Sequence, residues 1–327
     1  MQISRFGAPE DVARCVEWPA VGEPATDEVV FEVLAFPINP ADIAFCQGRY
    51  RLRPPLPATP GAEGVGRVTA VGASVTNVNP GDLVTPLERE NWAQQRRVKA
   101  DQVIALPRDT DLLQAAMIRI NPPTAMLLLS DLVTDLGPND WIIQNVANSS
   151  VGKLVILFAK ERGLRVVNVT RRDDVLAQLE QLGADACIVD TPQLEATVGA
   201  ITQGAPVRLG LDAVAGDAAA RIASCIVDGG TLCTYGAMSG EALAIPASEL
   251  IFRGVQLKGF LLGRHLGRRT ASEIAAIYSN IAEKIRTGKL SVPVERVYPI
   301  DRIKEALIHA QKATRFGKII VAPNGSV

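Results

Sequence analysis

Residues 141–174 read WIIQNVANSSVGKLVILFAKERGLRVVNVTRRDD, and this stretch decides the fold. Its opening, WIIQN (141–145), is a short apolar run consistent with a buried strand. Asn148, Ser149, Ser150, Val151 and Gly152 are small or polar and open a helix. Leu154, Val155, Leu157 and Phe158 continue it at helical spacing, with Arg162 one turn further on. Gly163 suits a helix stop, and RVVNV (165–169) reads as a second strand. Strand, turn, helix and strand make one βαβ unit with a right-handed crossover.

Such a unit makes an anion site. The first N–H groups of the helix lack partners inside it, and the helix dipole favours negative charge there. The usual dinucleotide fingerprint, G-x-G-x-x-G, is absent, and Gly152 is the one glycine in the turn. A plain buried βαβ unit therefore stays open. The second strand adds a further signal. NAD sites carry Asp or Glu about 20 residues beyond the turn, to hold the ribose 2′-OH. Arg171 and Arg172 stand there instead. Two guanidinium groups suit a 2′-phosphate, through paired charge-assisted hydrogen bonds. The competing reading is a solvated basic turn answered by Asp173 and Asp174. NADPH is the cofactor expected.

The 327 residues allow about two domains. Hydrophobic residues make up 47% and charged residues 21%, the balance of a globular enzyme. A net charge of −1 gives no field to attract nucleic acid. No apolar run reaches the ~18 residues of a membrane span, and residues 1–16 lack a signal-peptide core. Cys15, Cys46, Cys187, Cys225 and Cys233 form no C-x2-C pair, which excludes a zinc ribbon. An odd, scattered set suggests reduced thiols and an intracellular, cytoplasmic protein. His265 and His309 are the two histidines, too few for triad hydrolysis or a His-based zinc site.

Residues 1–120 have β character. Val29, Phe31 and Val33 alternate with Val30, Glu32 and Leu34, and Gly61, Gly64, Gly66 and Gly72 punctuate another strand. Short strands with Gly/Pro turns suggest a barrel-like module. From about Pro123, helix and strand signals alternate. Strands are expected at 186–189, 209–214, 231–235 and 257–262, giving a doubly wound parallel sheet. Residues 301–310 form an amphipathic helix with Asp301 as its N-cap, and 318–321 a final strand.

The order of motifs resembles that of the zinc-independent medium-chain dehydrogenase/reductases. Within them the chain looks most like the mitochondrial-type 2-enoyl thioester reductases, with the quinone oxidoreductases next. The likeness rests on INPADIAFCQGRY (38–50), PGAEGVGRVTAVG (60–72), NPGD (79–82), NPPTA (121–125), QNVANSSVG (144–152), NVTRR (168–172), TYGAM (234–238) and GFLL (259–262). It covers nearly the whole chain. The implied architecture is α/β: a GroES-like β-rich catalytic domain (1–120), a Rossmann doubly wound parallel sheet that binds NADP (121–262), and a return to the catalytic domain (263–327). Zinc members carry Cys where Asn39 stands and His where Ala62 stands, although Glu63 persists. No metal is expected.

Tyr50 matches the family's catalytic tyrosine. Hydride delivered to Cβ of an α,β-unsaturated carbonyl leaves an enolate, which needs a hydrogen-bond donor and a proton at Cα. A phenol can do both. Its alternative is a residue packed beside the prolines at 54, 55 and 57. The resemblance also implies cofactor contacts at Asn39 and Asn121, at the pyrophosphate turn Asn148, Ser149, Ser150 and Val151, and at Arg171 and Arg172. It adds the loop Tyr235, Gly236, Ala237 and Met238, the strand end Phe260, Leu261 and Leu262, and Lys318. Trp92 matches an aromatic of the family's lid region and is assigned to the substrate pocket. Many enoyl thioester reductases carry Trp where this chain has Leu261. A large aromatic lost there reshapes the acyl pocket and makes a quinone or another activated alkene more plausible. Arg49, Arg51 and Arg53, with Arg264, Arg268 and Arg269, would suit coenzyme A phosphates or lie in solvated loops. The expected activity is NADPH-dependent reduction of an activated C=C bond, a 2-enoyl thioester first. The alternatives are a quinone acceptor and a non-catalytic NADPH-binding protein of the same fold. The expected partner is a small molecule, with no nucleic acid or membrane, and the family implies a homodimer.

Overall fold

The computed structural model describes residues 1–312, 314–315 and 317–325. The chain divides into two compact units, Met1–Ile120 with Ala271–Val327, and Asn121–Thr270.

The second unit holds a six-stranded parallel sheet. Its order is Ala186–Val189, Arg165–Thr170, Trp141–Gln144, Val207–Asp212, Thr231–Thr234, Gln256–Gly259. The chain builds outward from Trp141–Gln144, then crosses to that strand's other side and builds the second half. The four inner strands are short, largely buried runs because both faces are covered, as parallel sheets require, whereas the edge strands Ala186–Val189 and Gln256–Gly259 are half-buried and mostly exposed respectively. Trp141, Ile143, Val167, Val169, Val207 and Leu232 share one core cluster with helix residues Val198 and Ile222. Gly163 ends the helix Ser150–Glu161 with φ 70°, a left-handed turn that glycine adopts without a Cβ clash.

The expected sixth strand is shorter than 257–262. It stops at Gly259, and Leu262 opens a five-residue helix, Leu262–Leu266. The Phe260 amide still donates to Thr234 O at 3.1 Å, so pairing outlasts the strand by one residue. The Phe260 ring then stacks on His265, with centroids 4.2 Å apart, and the chain turns away.

The first unit is a mixed seven-stranded sheet, with neighbours in the order Val294–Pro299, Lys318–Ala322, Glu28–Pro37, Val65–Val71, Leu83–Pro86, Val103–Leu106. Gln95–Lys99 pairs on Glu28–Pro37 as well. That strand breaks the expected alternation, because Val29, Val30 and Phe31 are all buried. A register shift between Val30 and Phe31, opposite Val65–Val71, turns consecutive side chains inward. Gly72 is there because a Cβ would stand 1.9 Å from Ala25 O. Asp301 is not a helix cap. It lies in a 3₁₀ turn, Ile300–Arg302, that tightens the entry to Ile303–Ala310. Among the described residues no helix is long and apolar enough to cross a membrane.

Candidate active site

In the first unit a buried polar cluster sits beneath the helix Pro40–Cys46. The Lys318 ammonium donates to Asn39 Oδ1, and Asn39 Nδ2 donates to Glu63 Oε1 at 2.7 Å. Glu63 Oε2 accepts the Ile120 amide at 3.0 Å. Asp42 closes the helix start: its two oxygens accept the Asn39 amide at 3.0 Å and the Ala62 amide at 2.9 Å. Arg89 lies 3.6 Å from Asp42. Arg119 donates to the carbonyls of Ala62 and Leu87, and its own carbonyl accepts the Tyr278 hydroxyl at 2.9 Å.

Burial sets the electrostatics. It pushes the Glu63 carboxyl above the usual range, opposed by Lys318 and Asn39. Asp42 is raised in the same way, with Arg89 pulling it down. Lys318 is lowered by burial, and Glu63 opposes that shift. Each charge is tolerable because another answers it.

The helix Pro40–Cys46 also delivers Tyr50. Gly48, at φ 67°, turns the chain, and the amides of Arg49 and Tyr50 both donate back to Ala44 O, at 2.9 and 3.0 Å. The Tyr50 ring packs on the core, half-buried, with the Arg89 guanidinium 5.1 Å from its centroid. Its hydroxyl makes no hydrogen bond among the described residues. Arg49, Arg51 and Arg53 around it are exposed. Trp92, expected in the substrate pocket, is fully buried in this unit's core and stacks on Phe36 at 5.8 Å.

In the second unit the turn after Trp141–Gln144 has the expected features. Ser149 caps the helix, its hydroxyl accepting the Gly152 amide at 3.1 Å, a bond worth ~1 kcal/mol. A Cβ on Gly152 would stand 2.5 Å from Ala147 O, so the helix start presses against the turn. Gln144 Nε2 holds the two together by donating to Gly152 O at 2.9 Å and to Asn168 Oδ1 at 2.8 Å. Asn148 is exposed, and Ser149, Ser150 and Val151 are half-buried. Val146 has φ 50°, an outlier for a β-branched residue.

Arg171 and Arg172 follow the next strand but differ. Arg172 is engaged by Asp174 in a bidentate pair, which raises its pKa. Arg171 is exposed and makes no bond to any described residue. Tyr235, Gly236, Ala237 and Met238 leave the end of Thr231–Thr234, and Met238 is 65% exposed. The Tyr235 hydroxyl is buried with no hydrogen-bond partner among the described residues, and burial pushes its pKa up. Phe260 is buried and Leu261 is 41% exposed, while Leu262 is half-buried. Asn121 is buried at the start of the helix Asn121–Ser130. All of these but Asn121 follow the carboxyl ends of strands, where open α/β sheets bind ligands. A cavity of about 380 Å³ lies at the opposite ends, lined by Arg208, Thr231 and Gln256.

Sequence reasoning passed over Asp42, Arg89 and Arg119. Asp42 was detectable: N-x-x-D before a short helix is a capping pattern. The two arginines gave no such sign. Arg269 binds Asp131 at 2.8 Å, as does His265 Nδ1, which takes one member out of the basic group. Burial raises the Cys46 thiol to about 12, so it stays protonated at neutral pH.

Comparison with known proteins fits this architecture. Residues 25–108 match the alcohol dehydrogenase GroES-like domain, and 150–280 the family described as zinc-binding dehydrogenase. The mitochondrial enoyl-[acyl-carrier-protein] reductase of Dictyostelium discoideum is 34% identical over 332 residues, covering 98% of this chain and 93% of that protein. A candidate NADPH:quinone reductase from Bacillus thuringiensis superposes with a TM-score of 0.91 at 29% identity, covering 98% of both chains. The Etr1p/NADP/crotonyl-CoA complex, of a mitochondrial 2-enoyl thioester reductase from Candida tropicalis, gives 0.86 at 26%, again covering 98% of both chains.

A parallel nucleotide-type sheet joined to a GroES-like unit defines a two-unit dehydrogenase/reductase. The chain belongs to the medium-chain dehydrogenase/reductase family, among relatives named mitochondrial enoyl-[acyl-carrier-protein] reductases. The zinc in one family description does not suit these residues. The Lys318 ammonium occupies Asn39 Oδ1, both Glu63 oxygens are bonded, and no cluster of three His, Cys, Asp or Glu exists among the described residues.

Proposed function

We propose that the protein is an NADPH-dependent reductase of the C=C bond of a 2-enoyl thioester. The observation that carries this reading is the end-to-end likeness to enoyl-[acyl-carrier-protein] reductases, 34% over 98% of the chain. The local features fit the cofactor. Gly152 allows a close approach of the turn, Arg171 is an unengaged cation after the second strand, and the Tyr235 hydroxyl lacks a partner.

When bound, NADPH supplies the hydride that adds to the β carbon. Tyr50 donates a hydrogen bond to the thioester oxygen as negative charge gathers there, and passes a proton to the α carbon. A proton from solvent then restores the phenol. The alkene becomes a saturated thioester, with one hydride and one proton gained. Arg171 binds the 2′-phosphate as the main cation, and Ser149 with the helix start holds the diphosphate.

Mixing the enzyme with NADPH and crotonyl-CoA, and following cofactor absorbance, tests this. No oxidation at high enzyme would refute it. Leu261 and the Bacillus likeness favour a second reading, a quinone acceptor. Rapid oxidation with a simple quinone and none with any enoyl thioester would select it.

The assembly proposed is a homodimer through the free edge of Gln256–Gly259. Among the described residues that strand pairs on one side only, with Thr231–Thr234, and Leu257 (43% exposed) within it and Ile251 (70%) and Phe252 (83%) shortly before it in sequence are exposed. The compartment proposed is the cytoplasm, on the strength of five free cysteines.

A further inference from the structure

Asn145 directly follows Trp141–Gln144, and Asp212 ends Val207–Asp212. These two strands are neighbours across the point where the sheet's order reverses. Asn145 Nδ2 donates to Asp212 Oδ1 at 2.6 Å, and Asn145 Oδ1 accepts the Ala213 amide at 2.8 Å. Asp212 also accepts the amides of Val214 at 3.0 Å and Ala215 at 3.2 Å, and the Thr234 hydroxyl at 3.1 Å. Both side chains are buried, Asp212 completely. Beside the pair stand two non-glycine residues at positive φ, Val146 at 50° and Ala215 at 66°.

A buried carboxylate is costly unless its oxygens are bonded, and these bind four donors on three different strand ends. Well-packed apolar residues would hold neighbouring strands as firmly. They could not also fix the amides of residues 213–215 or hold Val146 and Ala215 in strained backbone. Strain of that kind persists where its surroundings over-determine it, commonly at ligand sites. The crevice at a reversal of strand order is where such sheets bind ligands.

We infer that Asn145 and Asp212 are positioning residues that set the floor of the dinucleotide crevice. They fix the loops after both strands at the spacing the diphosphate needs. The inference rests on the cofactor reading above. It differs in one consequence from the role of Arg171: a floor serves NADPH and NADH alike.

The test is calorimetric titration of wild type, Asp212→Asn and Thr234→Val with NADPH and with NADH, with melting temperatures taken without cofactor. Asp212→Asn should bind both cofactors more weakly by a common factor, roughly tenfold or more. Thr234→Val keeps its shape, loses one hydroxyl donor to the buried carboxylate, and should shift both in the same sense by less, with a modest fall in melting temperature and the fold retained. If Asp212→Asn does not fold, Thr234→Val decides. Unchanged affinities in the folded variants, or a loss confined to NADPH, would overturn the inference. A wild type that binds neither cofactor would overturn the functional reading itself.

Discussion

Lys318 donates an ammonium N–H to the side-chain carbonyl of Asn39, so a cationic side chain bonds the residue at which the family resemblance implies a Cys ligand in zinc members. Asn39 passes the contact on to Glu63 at 2.7 Å. Lys318 is thus the counter-charge for a carboxylate deep in the first unit. Removing one partner of such a pair strands the other. Lys318→Met should cost about 3–5 kcal/mol of stability, and the double variant with Glu63→Gln should recover much of it. Chemical denaturation of the single and double variants measures both. Equal stability of wild type and Lys318→Met would refute the pairing.

The same variant carries a pH signature. Burial raises Glu63, and Lys318 is the strongest influence opposing that rise. Without Lys318 the folded pKa moves further above the unfolded value of ~4.3. The folded state then holds a proton that the unfolded state has released. Its stability is present at low pH and is lost as pH rises through the folded pKa. Lys318→Met should therefore lose stability relative to wild type as pH increases from about 4.3, and Glu63→Gln should remove that slope. Denaturation midpoints across acid to neutral pH read it out, and parallel curves would contradict it.

Arg171 and Arg172 are neighbours in sequence but not equals. Asp174 already holds Arg172 through two nitrogens, whereas Arg171 is unengaged. Arg171→Ala should weaken NADPH roughly tenfold or more and leave NADH unchanged, since a 2′-phosphate is the one group that differs. Arg172→Ala should do less, because its charge is already answered. Paired titrations with both cofactors check this. Equal losses for NADH would remove Arg171 from phosphate recognition.

Tyr50→Phe keeps the ring under Arg89 and deletes the hydroxyl. The expected result is a fall in kcat of roughly a hundredfold or more with crotonyl-CoA, with the KM for NADPH little changed. An unchanged kcat would leave Tyr50 a packing residue beside its proline-rich neighbours.

The second unit was legible because its signals are local. WIIQN and RVVNV form buried strands and ACIV a half-buried edge strand, all spaced by helices, and Gly163 closes a helix where expected. Its last strand was overdrawn because GFLL continues an apolar run, and the stack of Phe260 on His265 is a tertiary event no window detects. The polar cluster of the first unit was harder to read. Asn39, Asp42, Glu63, Arg119 and Lys318 are spread over most of the chain, and Lys318 joins the others when Lys318–Ala322 pairs with Glu28–Pro37. Asn145 and Asp212 left a faint trace, a polar residue at the end of each apolar strand. Long-range partners give such residues their meaning, and sequence spacing does not encode them.

The edge strand Gln256–Gly259 makes the last prediction. Among the described residues it is paired on one side, and Leu257 within it and Ile251 and Phe252 shortly before it in sequence are exposed apolar side chains. Unpaired backbone groups beside apolar surface invite a second strand. Two copies related by a twofold axis would satisfy both needs at once, since an isologous contact uses the same strand twice. Phe252→Asp with Leu257→Lys adds charge that would be buried in such a contact and costs little in the monomer, where both positions face water. Sedimentation velocity should find wild type as a dimer and the double variant as a folded monomer with an unchanged circular dichroism spectrum. A wild type that sediments as a monomer at high concentration would eliminate this edge as an interface.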